Sequence, residues 1–243
     1  VEDNVRSIGH YGNQKFDDEN EWAEKRGRHS YMEVKICGLT DPKEAEFLNE
    51  AGADYAGFVF YEKSKRNVTM AQAEAIRKKL DPNIQQVAVT VAPTVDFVGK
   101  IEASGFDILQ VHKSLDVKLL ELIHIPVWFA INIADDTKLW EKIRFLESLP
   151  EKLGNKVAAI VVDGAGYGGG ETFDWKKNDK IRKMPALAKR KFILAGGLNV
   201  TNVTEGIRRF HPDIVDVSSG VEGISGKDPN KIRTFIRKVR EYE

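Results

Sequence analysis

Short apolar runs alternate with amphipathic stretches from Glu33 to the C-terminus. Most of the runs are continuous rather than alternating, which is typical of parallel strands covered on both faces. They predict eight strands: Val34–Cys37, Tyr55–Phe60, Gln86–Val91, Ile108–Val111, Val127–Ile131, Ala158–Val162, Phe192–Ala195 and Ile214–Val217.

The amphipathic stretches between these runs predict helices. Polar residues that can cap a helix precede them, and two have proline at the first helical position. The predicted helices begin after Thr40-Asp41, cover Met70–Leu80 after Thr69 and Val95–Ser104 after Thr94, run to Leu149 after Asp135 or Asp136, start at Trp175 after Asp174, and cover Asn230–Tyr242 after Asp228-Pro229.

Eight strands that alternate with eight helices within one domain length predict a single (β/α)₈ TIM barrel over residues 31–243. A doubly wound open sheet is the alternative. The units are evenly spaced and no linker interrupts them after residue 33, which favours closure.

Composition narrows the functional class. Lysine plus arginine and aspartate plus glutamate both number 37, so no global field favours nucleic acid or an acidic membrane surface. No apolar run reaches the ~20 residues of a membrane-spanning helix. The single cysteine excludes an intrachain disulfide and is typical of a reducing compartment. We therefore expect a cytoplasmic protein.

Residues 1–30 differ from the rest of the chain. They are polar, with an acidic run at Asp17–Glu21 and a basic cluster at Lys25–Arg28. An apolar signal core is lacking, and the acidic residues are atypical of an organelle transit peptide. We predict a solvated, partly helical extension; an arm that contacts a partner through Tyr11, Phe16 and Trp22 is the alternative.

In a barrel of this type, reacting groups follow the carboxyl ends of the strands. Cys37 stands there after the first strand, although a lone cysteine is also a common inert core residue. After the second strand, Lys63, Lys65 and Arg66 form either an anion clamp or a solvated basic loop. His112 directly follows the fourth strand and is either a site residue or a structural one.

A glycine-rich loop follows the sixth strand, behind Asp163. Gly164, Gly166 and Gly169 satisfy the spacing of a dinucleotide fingerprint, but that fingerprint should open directly into a helix. Here residues 171–173 intervene. We therefore predict a loop that folds over a ligand, with Asp163 held at the strand end as a site residue or a simple cap.

Two further loops, after the seventh and eighth strands, predict a phosphate cradle. In this fold the loops after these strands commonly form such a site, since glycine lets backbone N–H groups approach the phosphate. The predicted phosphate-binding residues are Gly196, Gly197, Ser218, Ser219 and Gly220.

Six stretches, in order along the chain, carry a family resemblance. They are Lys35–Thr40, Gly52–Phe60, Lys63–Val68, Gly168–Trp175, Leu194–Asn199 and Asp216–Glu222. Together they resemble the phosphoribosylanthranilate isomerase family, the barrel enzymes of tryptophan biosynthesis. The resemblance covers all but the first thirty or so residues.

The resemblance implies an Amadori rearrangement of N-(5′-phosphoribosyl)anthranilate, with Cys37 as general base and Asp163 as general acid. Arg66 would contact the anthranilate end, and the thiolate would be favoured by nearby positive charge. No metal or organic cofactor is implied, and both monomer and homodimer stay open. Two alternatives remain. One is the related histidine-pathway isomerase, although that family has an aspartate where Cys37 stands. The other is a non-catalytic phosphate-binding barrel that uses the extension to recruit a partner.

Four positions depart from the family pattern. Lys65 stands where proline is usual, Lys113 where glycine follows the strand-4 histidine, Ala92 where strand 3 ends in asparagine, and Phe129 where strand 5 carries lysine. We expect these changes to line the rim and the anthranilate side of the site.

Overall fold

The structure is a computed structural model. It describes residues 31–113, 115–133, 136–164, 172, 174–175, 178, 181 and 189–242. The predicted N-terminal extension, residues 1–30, lies outside the described residues, as does most of the glycine-rich loop and of the helix predicted from Trp175.

Eight parallel strands close into a barrel in chain order, and the eighth pairs with the first. The closed (β/α)₈ prediction is confirmed and the open-sheet alternative is wrong. Predicted strand ends agree within one residue. The strands are β1 Glu33–Cys37, β2 Tyr55–Phe60, β3 Gln85–Thr90, β4 Ile108–Val111, β5 Val127–Asn132, β6 Val157–Asp163, β7 Lys191–Leu194 and β8 Ile214–Val217.

Helices lie in the described connections between the strands. Those with described bounds are α1 Pro42–Ala51, α2 Met70–Arg77, α3 Val95–Ala103, α4 Val117–Leu122, α5 Asp136–Ser148, α6 Glu151–Gly154, α7 Val203–Phe210 and α8 Pro229–Arg240. A two-residue hairpin, β9 Glu222–Gly223 with β10 Gly226–Lys227, follows β8. Neither this hairpin nor α6 was predicted from the sequence.

The caps predicted at Asp41, Thr69, Thr94 and Asp228 are confirmed, but the predicted helix ends are too long. Asp41 and Thr69 each form a capping box with the residue three positions on, which satisfies backbone donors of the first turn. The second helix ends at Arg77 rather than Leu80, and a tighter turn follows. Asp81 precedes Pro82, a position that disfavours helical backbone, so the chain leaves the helix early.

Apolar side chains form two clusters, one on each face of the barrel strands. Val34 and Ile36 of β1 belong to the large core between strands and helices, whereas Cys37 lies against a smaller cluster inside the barrel. Successive residues of a strand point to opposite faces, so Lys35 and Cys37 both face the interior. No helix within the described ranges has the length and apolar character needed to cross a membrane.

Candidate active site

An open cavity of about 960 Å³, solvent at its mouth included, lies at the carboxyl ends of the strands. Eight of the nine predicted site residues line it: Cys37, Arg66, His112, Asp163, Gly196, Gly197, Ser218 and Ser219. The ninth, Gly220, lies where the loops after β7 and β8 meet.

The turn after β1 presents Cys37 to this cavity. Gly38 adopts a left-handed φ of 83°, and its amide and that of Leu39 donate to the Gly57 carbonyl oxygen at 2.8 and 3.1 Å. Ser218 Oγ donates to the Cys37 carbonyl oxygen at 2.8 Å. The cysteine backbone is therefore tied to both neighbouring strand ends.

Arg66 reaches the cavity beside this turn. A Cβ on Gly38 would overlap the Arg66 side chain, so glycine at this position lets the arginine lie against the end of β1. Arg66 Nε donates to Glu222 Oε1 at 2.5 Å. Its Nη2 is buried and has no hydrogen-bond partner among the described residues. A buried guanidinium donor without a partner at a cavity wall is suited to a carboxylate.

Glu222, to which the sequence analysis gave no role, joins the loop after β2 to the hairpin after β8. Besides Arg66 it accepts from Lys65 Nζ at 3.0 Å and from Lys227 Nζ at 3.1 Å. Burial raises the pKa of Glu222, but these three cations outweigh it and lower the pKa to about 2. Glu222 is thus an anion at neutral pH that holds Arg66 in place.

A second charged group lies inside the barrel and was also missed. Lys35 is fully buried, and its Nζ donates to Asp216 Oδ2 at 2.7 Å and to Gln110 Oε1 at 2.9 Å. The sequence did contain a signal for this buried charge, namely a lysine within an apolar strand, two residues before the cysteine. Burial lowers the pKa of Lys35, but Asp216 and Cys37 more than offset this and the pKa is raised.

His112 is a neutral member of the same network. Gln110 Nε2 lies 2.8 Å from His112 Nε2. Because the Gln110 oxygen already accepts from Lys35, its amide nitrogen donates, and His112 Nε2 accepts. Burial, followed by the charges of Lys35 and Lys142, lowers the pKa of His112 to about 3. The imidazole therefore offers no positive charge to a ligand near neutral pH.

Opposing effects act on the Cys37 thiol. Burial raises its pKa and Asp216 raises it further, while Lys35 and, more weakly, Lys227 lower it. The expected positive charge is therefore present, but burial outweighs it, and the pKa of Cys37 is raised.

Asp163 ends β6 on the same cavity. Gly196, with a left-handed φ of 82°, leaves room for it, since a Cβ there would lie 2.5 Å from Asp163 Oδ1. Two strands, β7 and β8, separate β6 from β1 in the barrel. Asp163 and Cys37 thus flank the two loops that were predicted to bind phosphate.

Those two loops touch each other. Gly197 has a left-handed φ of 67°, and Asn199 forms an isolated bridge with Gly220. The backbone amides of Gly197 and Ser219 donate to no other group within the part of the chain that the structure describes. Both residues line the cavity, so these amides are suited to an anion.

The four departures from the family pattern do not all lie where we expected. Phe129 is buried in the core between the strands and the helices, with its ring centroid 6.0 Å from that of Phe145. The expectation that it lines the site is wrong, because odd and even positions of β5 face opposite sides of the sheet. Lys65 does stand at the rim, where it binds Glu222.

Comparisons with known proteins agree with this geometry. The family described as N-(5′-phosphoribosyl)anthranilate (PRA) isomerase matches residues 34–238. The N-(5′-phosphoribosyl)anthranilate isomerase of Listeria innocua is 39% identical over 215 residues, which cover 86% of this chain and 98% of the relative.

Solved structures of the same name are similar as well. Phosphoribosyl anthranilate isomerase from Thermotoga maritima has a TM-score of 0.74 at 31% identity, over 86% of this chain and 99% of its own. A second structure, of the isomerase in complex with reduced 1-(o-carboxyphenylamino)-1-deoxyribulose 5-phosphate, has a TM-score of 0.71 at 30% identity over the same shares.

Proposed function

Because the chain belongs to the N-(5′-phosphoribosyl)anthranilate isomerase family, we propose that it performs this isomerisation with Cys37 as general base and Asp163 as general acid. The protein is an aldose–ketose isomerase of tryptophan biosynthesis. One observation carries the assignment of roles: the thiol, the carboxylate, the arginine and both glycine loops line a single cavity.

The charges of the cavity orient the substrate. Its phosphate binds at the loops after β7 and β8, where the amides of Gly197 and Ser219 are available. Its anthranilate carboxylate binds Arg66, whose Nη2 lacks a partner among the described residues. These two anchors place the ribosyl ring between them, within reach of Cys37 and Asp163. A similar isomerase structure holds a ligand with the same phosphate and carboxyphenyl ends.

The reaction then needs one acid and one base. Asp163 donates a proton to the ring oxygen as the C1′–O bond breaks, and the anthranilate nitrogen supplies its lone pair to form an iminium ion. Cys37, as thiolate, takes the proton from C2′, and those electrons form the C1′–C2′ double bond of an enolamine. Loss of the enol proton and protonation at C1′ give the ketone.

The raised pKa of Cys37 fits this order of steps. A thiolate whose thiol has a raised pKa is a stronger base than one of ordinary pKa. The iminium cation formed next to it both acidifies the C2′ proton and supplies the missing positive charge. The histidine-pathway alternative is disfavoured because Cys37, rather than an aspartate, ends β1.

Substitution of the two groups tests these roles. Cys37→Ser and Asp163→Asn should each lower kcat by ~10²–10⁴-fold, the usual contribution of a general acid or base, while product binding persists. Asp107→Asn is a matched control, since that carboxylate accepts from Gln86 N at the opposite end of the barrel, and it should keep wild-type kcat. Near-full activity of pure, folded Cys37→Ser would overturn the assignment of the base.

A further inference from the structure

The ammonium group of Lys35 lies in the barrel interior next to the Cys37 sulfur. The two side chains come from alternate positions of β1, so they point the same way. A Cβ built on Gly57 of β2 would lie 2.8 Å from Cys37 Sγ and 3.1 Å from Lys35 Cε. The sulfur and the end of the lysine side chain therefore share a space that glycine on β2 leaves open.

Two neighbours hold the lysine in this position. Nζ donates to Asp216 Oδ2 at 2.7 Å and to Gln110 Oε1 at 2.9 Å. An ammonium group has three N–H donors, so these two bonds leave one N–H of Nζ, and the charge of the ammonium group acts on the nearby Cys37 thiol. Because its partners are buried strand residues, the cation is fixed rather than free to turn toward solvent.

No other charged group near Cys37 in the described part of the chain stabilises its thiolate as much as Lys35 does. Lys227, from β10, lowers the pKa of the thiol less than Lys35 does, and Asp216 raises it. Arg66 is engaged by Glu222, His112 is neutral near pH 7, and Asp163 lies at the end of β6. Lys35 is thus the main source of positive charge at the sulfur.

We propose that Lys35 is a positioning residue for the reaction, a fixed cation that stabilises the thiolate form of Cys37 against the effect of burial. This inference rests on the proposed role of Cys37 as base. Lys35 itself transfers no proton: the proton removed from the substrate carbon goes to sulfur, and the carboxylate of Asp216 keeps the lysine charged throughout the cycle.

Alkylation of the thiol tests this directly, because Cys37 is the single cysteine of the chain. Only the thiolate reacts with iodoacetamide, so the rate at each pH reports its fraction without any turnover. In Lys35→Met the rate at neutral pH should fall by about tenfold or more, as expected when a neighbouring cation is removed. The acid limb of kcat against pH should move upward with it.

Lys191→Met is the matched control. Lys191 begins β7 and binds Glu33 Oε2 at 2.7 Å at the other end of the barrel. The same substitution there removes a lysine and an ion pair without removing charge from the cavity. Both the alkylation rate and the pH profile should remain as in the wild type, and a shift equal to that of Lys35→Met would overturn the proposal.

A double variant covers the case in which Lys35→Met does not fold because Asp216 is left as a buried, unpaired charge. Lys35→Met/Asp216→Asn is neutral at both positions. Since Lys35 affects the pKa of Cys37 more than Asp216 does, alkylation should still be slower than in the wild type. An unchanged alkylation rate in the folded double variant would overturn the effect of Lys35 on the thiol. Near-full activity of Cys37→Ser with a slowed alkylation rate in the double variant would instead overturn the role of Cys37 as base, on which the role of Lys35 in the reaction rests.

Discussion

Cys37 illustrates how a single position combines opposing requirements. The thiol lies at the wall of the cavity, within reach of a bound ligand, yet its burial raises its pKa. Lys35 and Lys227 counter this with positive charge, and Gly57 provides the space in which the sulfur and Lys35 meet. The basicity of the Cys37 thiolate therefore depends on residues of β1, β2 and β10 and not on the cysteine alone.

His112 gives a prediction at the same scale. Its pKa in the folded protein is about 3, below the value of about 6.5 expected in the unfolded chain. A depressed folded pKa means that the unfolded state binds the proton first as pH falls. The stability contributed by neutral His112 is therefore complete above about pH 6.5 and is lost progressively toward pH 3.

Urea unfolding at two pH values checks this. Between about pH 7 and 5 the wild type should lose about 1–2 kcal/mol more unfolding free energy than His112→Gln, which keeps an acceptor for Gln110 but cannot titrate. Equal losses in the two proteins would contradict an imidazole that is neutral in the folded protein.

At the scale of elements, the site depends on contacts between loops of different strands. Glu222 of the hairpin binds Arg66 and Lys65 from the loop after β2, and Ser218 ties the end of β8 to β1. The loops after β7 and β8 meet at the bridge between Asn199 and Gly220. Each of these contacts joins segments far apart in the chain.

Gly220 tests the phosphate loops. A Cβ there would lie 2.9 Å from Asn199 Cα and closer still to the Leu198 carbonyl oxygen, so Gly220→Ala should push the loops apart. Inorganic phosphate should inhibit the wild type competitively, and in Gly220→Ala both KM and the phosphate inhibition constant should rise about tenfold or more, the loss of roughly one good anion contact.

Gly99→Ala is the control, because it adds a methyl group to α3 with no atom within 4 Å. Its KM should equal that of the wild type. Purely noncompetitive inhibition by phosphate would contradict the placement of the phosphate between these loops.

At the scale of the whole molecule, the barrel from β1 to α8 contains every proposed site residue. We propose that residues 1–30 form a separate extension that the chemistry does not require, since no strand-end loop falls within them. Deleting residues 1–30 should leave kcat within about threefold, an effect of under ~1 kcal/mol. Turnover of the truncated, folded protein measures this, and a collapse of activity would show that the extension completes the site.

The sequence alone determined the fold and most of the cavity wall. Parallel strands buried on both faces require continuous apolar runs, and these runs located every strand to within one residue. Because the carboxyl ends of barrel strands converge, residues such as Cys37, Asp163 and Gly197 could be placed together without coordinates. The family resemblance added roles that neither spacing nor composition carries.

Only the tertiary structure decided how these residues work together. Lys35, Gln110 and Asp216 lie on β1, β4 and β8, and their association depends on strand register and on which face of each strand turns inward. The same holds for Glu222 and Arg66, which are 156 residues apart. Burial and charge at the thiol arise from these long-range neighbours, and a linear pattern does not record distances between strands.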